Sequence, residues 1–131
     1  MLASSALMLG LSTAATVSIS ATAPNVDGAD IANDSGNSDA GGDQGHIWSN
    51  RPHQGQTFTT GNNIGGYILN AVTLKNVNNT ITQAPTFSVV VGSISGTVLT
   101  QIGSTETAVA GNYVPLDYLT FNFDTPLSLN A

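Results

Sequence analysis

Alternating apolar and polar residues predict β-strands along most of this chain. The clearest alternation spans residues 118–124, where Leu119, Phe121 and Phe123 take every second position. A period of two is that of a strand with one buried face, because successive side chains point to opposite sides. Similar patterns, or β-branched runs, predict further strands at residues 16–22, 56–60, 67–77, 87–94 and 97–102.

Short strands separated by Gly, Asn and Pro are typical of an antiparallel β-sandwich, here of the jelly-roll type. We therefore predict an all-β domain over residues 16–131, with a hairpin turn at Ser95-Gly96 and no helix after residue 15. The alternation assigns its core to eight apolar side chains: Phe58, Val72, Leu74, Val89, Val91, Leu119, Phe121 and Phe123.

The strand at residues 67–77 has an irregularity near its middle. Ile68, Val72 and Leu74 share one face by their spacing, but Asn70 interrupts that face. A polar residue on an otherwise apolar face indicates a β-bulge or a change of register.

The N-terminus has the pattern of an export signal. Residues 2–11 form an apolar run that is too short to cross a bilayer, and small residues follow it. We predict a signal peptide over residues 1–15, cleaved after Ala14 or Ala15. Two alternatives are cleavage after Ala23 and a core helix of the mature protein over residues 2–15.

The C-terminus begins an apolar alternation at residues 125–131 that then stops. Because an antiparallel sandwich normally closes with another strand, we expect this chain to be the front part of a longer protein, truncated before that strand. An unpaired edge would favour self-association.

Composition excludes several classes of partner and site. Charged residues make up 8% of the chain, against roughly 25% in ordinary soluble proteins. The net charge of −6 disfavours nucleic acid and anionic membranes, which both attract clustered Lys and Arg. The absence of Cys excludes disulfides and thiolate zinc sites. We expect no direct membrane insertion of the mature domain.

A Gly-, Asp- and Asn-rich loop at residues 24–45 offers hard oxygen ligands of the kind that calcium prefers. Its spacing does not match an EF-hand. A solvated loop is the alternative to a structural calcium site, and no other cofactor is expected. The five candidate ligands are Asp27, Asp30, Asp34, Asp39 and Asp43.

The sole Trp and the sole Arg lie three residues apart, in a segment stiffened by a Pro. An indole face can stack on a sugar ring while Arg and amide groups bind its hydroxyls. Alternatively, the Trp covers the edge of the core and the Arg neutralises nearby Asp. The candidate ligand-binding residues are Trp48, Asn50, Arg51, His53 and Gln54.

Catalytic constellations are weak in this sequence. Glu106 with Asp117 or Asp124 is the candidate carboxylate pair of a glycosidase. Both Asp residues lie at turn-like strand ends, where Asp is common, and no nucleophile elbow is present. We therefore expect a protein that is not an enzyme.

Five segments resemble secreted bacterial domains of the PEP-CTERM and choice-of-anchor type, found in Verrucomicrobia, Planctomycetes and related bacteria. The shared motifs are W-x-x-R-P at residues 48–52, GQTFTTG at 55–61, GGYILNAVTL at 65–74, VG-x-ISGT-x-L at 91–99 and DYLTFNFDTPLSL at 117–129.

The resemblance implies an exported β-sandwich, anchored by a C-terminal sorting tail that is not seen after Ala131. It implies no catalytic residues. The expected function is a non-catalytic structural or adhesive module at the cell surface or in exopolysaccharide. The alternative is a carbohydrate-binding module that uses Trp48 and Arg51, with polysaccharide as the partner in either case.

Overall fold

The computed structural model describes residues 14–28, 30–31, 57–76 and 80–130. Within these residues the fold is all-β, without a helix, and every strand pairing is antiparallel. The all-β, antiparallel prediction is therefore confirmed. The five strands are β1 (Thr16–Ser20), β2 (Tyr67–Lys75), β3 (Thr86–Ser95), β4 (Val98–Val109) and β5 (Tyr118–Leu129).

The strands form two sheets. The first has the order β1-β5-β2, and the second is the β3-β4 hairpin. β1 places Val17 and Ile19 on its half-buried face, as the alternation predicts. The strand is shorter than predicted because Ser20 Oγ accepts a hydrogen bond from the Thr22 amide at 3.0 Å and donates to the Thr22 carbonyl at 2.9 Å. Such a local side-chain turn competes with strand pairing.

Both sheets contribute to one hydrophobic core. The hairpin supplies Val91 and Ala108, and Val17 and Val72 pack against the same cluster from the first sheet. β5 provides the largest share, with the Phe121 and Phe123 rings 5.5 Å apart in an edge-to-face arrangement. The buried side chains of β5 are Phe121, Phe123, Leu127 and Leu129.

The pairing of β2 with β5 shifts register at Asn70, which confirms the predicted irregularity. Tyr67–Leu69 pair with Leu127–Leu129, whereas Ala71–Lys75 pair with Tyr118–Asn122. Asn70 on β2 therefore lies opposite the four residues 123–126 of β5. One residue of β2 thus opposes four residues of β5, and this difference of three is an odd number. The core-facing residues of β2 are therefore odd-numbered before Asn70 (Tyr67 and Leu69) and even-numbered after it (Val72).

Two of the expected core-facing positions on β2 are wrong, and the parity change explains the first of them. Ile68 was assigned to the face of Val72, but its side chain is 60% exposed, and Tyr67 and Leu69 pack on the core instead. Leu74 has the parity of Val72 but is 58% exposed, because the core cluster ends at the Val72 row and does not reach Leu74.

The predicted strand at residues 56–60 is wrong in its described part, since residues 57–60 are not in a strand. Phe58, expected in the core, is 45% exposed. Val91, Phe121 and Phe123 are buried as predicted, whereas Val72 and Val89 are half-buried against the core. Leu119 is half-buried without joining that cluster.

The hairpin turns at Gly96, as predicted, where φ is 59°. β4 is longer than expected and contains a second register shift, since Val89 pairs with Glu106 but Val91 pairs with Ile102. Gly103 lies in the shifted segment with φ of 71°, and a Cβ there would stand 2.5 Å from Leu127 Cδ2. Glycine suits this position because the left-handed backbone strains other residues, and Leu127 of the other sheet packs against it.

β5 continues through Leu129, so the alternation at the end of the sequence belongs to this strand and pairs with β2. Pro126 lies within the register shift, where β5 is not paired with β2. Its missing N–H therefore costs no hydrogen bond between these strands. Of the predicted signal peptide, only Ala14 and Ala15 fall in the described part. Ala15 packs against the core, and residues 1–13 lie outside the described residues.

Candidate functional site

The predicted aromatic and basic site lies entirely outside the described residues, so it stays a prediction. Its members are Trp48, Asn50, Arg51, His53 and Gln54. The described part of the chain shows neither their exposure nor their contacts.

Two of the five candidate calcium ligands are described. Asp30 Oδ2 accepts a hydrogen bond from the Asp27 amide at 2.9 Å, and the Asp30 amide donates to the Asp27 carbonyl at 3.2 Å. This pair closes a small exposed turn. Asp34, Asp39 and Asp43 lie outside the described residues. In residues 14–28, 30–31, 57–76 and 80–130, no three acidic or His side chains are grouped as a metal site would need.

Glu106 stands on the core-facing side of β4, directly opposite Val89. Its carboxylate reaches across to β5, where Oε2 accepts from the Asp124 amide at 2.7 Å and Oε1 accepts from the Thr125 amide at 3.3 Å. Both amides belong to the four residues that cross the register shift. Hydrogen bonds to a carboxylate are the stronger kind, so Glu106 ties the two sheets together.

Asp117 is the one buried polar residue in the described structure. Its Oδ2 accepts from the Val114 amide at 2.8 Å, and its own amide donates to the Val114 carbonyl at 3.2 Å. The turn between them places Leu116 at φ 73°, a left-handed conformation that costs a non-glycine residue energy. Asn76 supports the turn, since its Nδ2 donates to the Val114 carbonyl at 2.6 Å. Asp117 therefore holds a turn.

The outer side of the three-stranded sheet carries a grid of polar side chains, which we call the polar face. The register places three residues of each strand side by side in three rows. The rows are Thr16–Asn122–Ala71, Ser18–Thr120–Thr73 and Ser20–Tyr118–Lys75. The opposite side of the same strands holds Val17, Phe121 and Val72, so the polar face points away from the core.

Hydroxyl and amide groups dominate the polar face and partly bind one another. Thr73 Oγ1 lies 2.9 Å from Thr120 Oγ1, and Asn122 Nδ2 donates to Thr16 Oγ1 at 3.5 Å. Tyr118 is half-buried at one end, flanked by the exposed Ser20 and Lys75. Lys75 is the single charged residue of the face.

A shallow, open recess of about 330 Å³ is lined by residues 80–85. Beside it, Ile81 and Tyr113 exchange two backbone hydrogen bonds of 2.8 and 3.1 Å. The Tyr113 ring also lies 6.3 Å from that of Phe87, and burial raises the pKa of its hydroxyl above the usual 10.0. One short segment forms the whole lining of this recess.

Sequence reasoning missed the polar face. The alternation over residues 16–22 and 118–124 implies one polar side for each strand, but it does not show that the two sides adjoin. The strand order β1-β5-β2, and the register that brings these polar positions side by side, are seen only in the structure. The contributions of Thr73 and Lys75 depend on the parity after Asn70 and on this register.

Comparisons with protein-family models, with curated proteins and with solved structures find no match to this chain. The part of the chain that the structure describes contains no helix of the length and apolarity needed to traverse a bilayer.

Proposed function

We propose that this protein is an exported, non-catalytic module that serves a structural or adhesive role at a bacterial cell surface or in exopolysaccharide. The observation that carries the proposal is the use of Glu106. Both of its carboxylate oxygens accept hydrogen bonds from β5 amides and join the two sheets. An acid engaged in this way supports the fold rather than proton transfer to a substrate, which needs a carboxyl within reach of that substrate.

We propose further that the two sheets are the layers of a β-sandwich of jelly-roll type. Support comes from the shared core, to which Val91 and Ala108 contribute from the hairpin and β5 contributes from the other sheet. The contact of Leu127 with Gly103 joins the layers at a second point. Packing of this kind between two antiparallel sheets is the basis of sandwich architecture.

The proposed export is supported by the apolar run at residues 2–11 and by the position of β1 directly after it. β1 forms an edge of the first sheet and pairs with five residues of β5. Cleavage after Ala14 or Ala15 preserves this strand, whereas cleavage after Ala23 removes it. The motif resemblance to PEP-CTERM and choice-of-anchor domains points the same way, toward a surface module with polysaccharide as its partner.

Expression of the tagged full chain in a polysaccharide-secreting bacterium tests this proposal. We expect the tag in the surface or extracellular fraction, with a mature N-terminus at Ala15 or Thr16 by mass spectrometry. We also expect no release of reducing sugar from a panel of polysaccharides. Retention of Met1 in the cytoplasm would refute export. Hydrolysis that Glu106→Gln abolishes would refute the non-catalytic role.

A further inference from the structure

We infer that the polar face of the three-stranded sheet is a binding surface for a neutral polysaccharide chain. The inference rests on the proposed function and gives it a site and a ligand class. It places sugar contact on Thr73, Tyr118 and Thr120, on the described sheet, rather than on the Trp48 segment.

The dimensions of the polar face suit an extended polymer. Three strands side by side span about 10 Å, and three alternate residues along a strand span about 14 Å. The side chains stand on a paired sheet whose register is fixed by the core on its other side, so their positions are held without the ligand. A preorganised surface binds with less loss of conformational entropy.

The chemistry of the grid matches sugar hydroxyls. Each Ser and Thr hydroxyl can donate one hydrogen bond and accept others, and the Asn122 amide can do both. The Thr73–Thr120 contact uses part of this capacity and leaves acceptor positions on both oxygens. Tyr118 adds an aromatic ring and a hydroxyl at the end of the grid. The ring can contact the apolar face of a sugar while the hydroxyl hydrogen-bonds to water or to the sugar.

Charge favours a neutral polymer over an anionic one. None of the nine positions that form the polar face is acidic, and Asp124 follows Asn122 two residues further along β5. The face itself offers one cation, Lys75, against a net charge of −6 for the chain. A polyuronate would be repelled by the whole protein and attracted by one side chain, whereas a neutral glycan meets no repulsion.

A protein partner fits this surface less well than a glycan. Protein interfaces rely on a central group of apolar or aromatic anchors that exclude water. Here the centre consists of the Thr73 and Thr120 hydroxyls, which bind each other, so one hydroxyl hydrogen would still need an acceptor if an apolar surface covered them. A hydrated polysaccharide provides such partners through its own hydroxyls and through bridging water.

Affinity electrophoresis of the full chain in gels that contain a soluble neutral β-glucan, or alginate as the polyuronate, tests the inference. The principal variant is Thr73→Val with Thr120→Val, which removes two hydroxyls and keeps β-branched side chains. Its matched control is Thr100→Val with Thr107→Val, a change of two exposed threonines on β4. Circular dichroism melts establish that each variant folds.

We expect the neutral glucan to retard the wild type and the control equally. Two lost hydrogen bonds should weaken binding of the principal variant by about tenfold. Tyr118→Leu should weaken it as well. Retardation that survives in both variants but is lost in Trp48→Ala overturns the inference and leaves the proposed function standing.

Two other results also contradict the inference. Retardation by alginate alone, abolished by Lys75→Gln, would show an anionic ligand. No retardation of the wild type by either polymer would show that the polar face binds neither, while localisation of the protein at the cell surface would still support the proposed structural role.

Discussion

Removal of the Glu106 carboxylate should loosen the connection between the two sheets. A hydrogen bond to a charged group contributes about 1.5–3 kcal/mol, and removing one partner so that a buried donor stays unpaired costs about 1–3 kcal/mol. The 2.7 Å bond to the Asp124 amide is part-buried and should count fully. The 3.3 Å bond to Thr125 is exposed, so water can replace it at little cost. We therefore expect Glu106→Ala to lower the free energy of unfolding by about 2–3 kcal/mol.

Glu106→Gln separates charge from geometry. Its amide oxygen can still accept from the Asp124 amide, so we expect a loss of only about 1 kcal/mol. Asp30→Asn is the matched control, because it removes one negative charge from an exposed turn and should change stability by less than about 0.5 kcal/mol.

Urea unfolding followed by circular dichroism gives the three free energies, provided that the m-value is unchanged. If Glu106→Ala were as stable as Asp30→Asn, the carboxylate would not hold the sheets together. A loss that is equal in Glu106→Gln and Glu106→Ala would show that charge matters and the hydrogen-bond geometry does not.

Phe121→Ala should cost about 3–5 kcal/mol in denaturant melts because the ring is buried in the core, and a loss below about 1 kcal/mol would contradict the facing of β5. Leu116→Gly should stabilise the fold by about 0.5–1 kcal/mol by relieving its left-handed backbone, while Val114→Gly, the control, should not; a destabilised Leu116→Gly would argue against strain. Burial raises the pKa of Tyr113 above 10.0, so the folded protein keeps the Tyr113 proton at a pH where the unfolded chain loses it, and the free energy of unfolding falls as pH rises above 10.0. Tyr113→Phe should reduce this loss of stability in melts at alkaline pH. An equal loss in Tyr113→Phe and the wild type would contradict burial of Tyr113 as the reason for it. If the loop at residues 24–45 binds calcium with a dissociation constant on the order of 10⁻⁴ M, 10 mM calcium should raise the free energy of unfolding by about 2.7 kcal/mol relative to a sample with chelator. Magnesium is the control. An unchanged melting temperature in calcium would contradict a calcium site in this loop.

Much of the strand content could be predicted because β1, β3 and β5 alternate or run apolar without interruption. Asn70 even indicated the register change within β2. The sequence could not show how many residues of β5 cross that shift, and this number decides whether Ile68 or Leu69 faces the core. Phe58 was assigned inward from a five-residue pattern, which is too short to distinguish a strand from an extended loop.

The candidate site was harder to predict for a physical reason. Trp48 and Arg51 attract notice as rare residues in this chain, whereas Ser, Thr and Asn are common and carry no signal singly. Thr73 and Thr120 become neighbours only through pairing across 47 positions of sequence. Similarly, Glu106 looks like a catalytic acid until its two amide partners on β5 are known.

The segment of β5 around Pro126 has a consequence for solubility. Pairing with β1 ends at Asn122, so the strand continues beyond that neighbour. An approaching strand from another molecule needs amide N–H groups to pair with. Here the Asp124 and Thr125 amides already donate to Glu106, and Pro126 has no N–H. Three successive residues thus offer no donor, and the acid that joins the sheets also protects this stretch of backbone from aggregation.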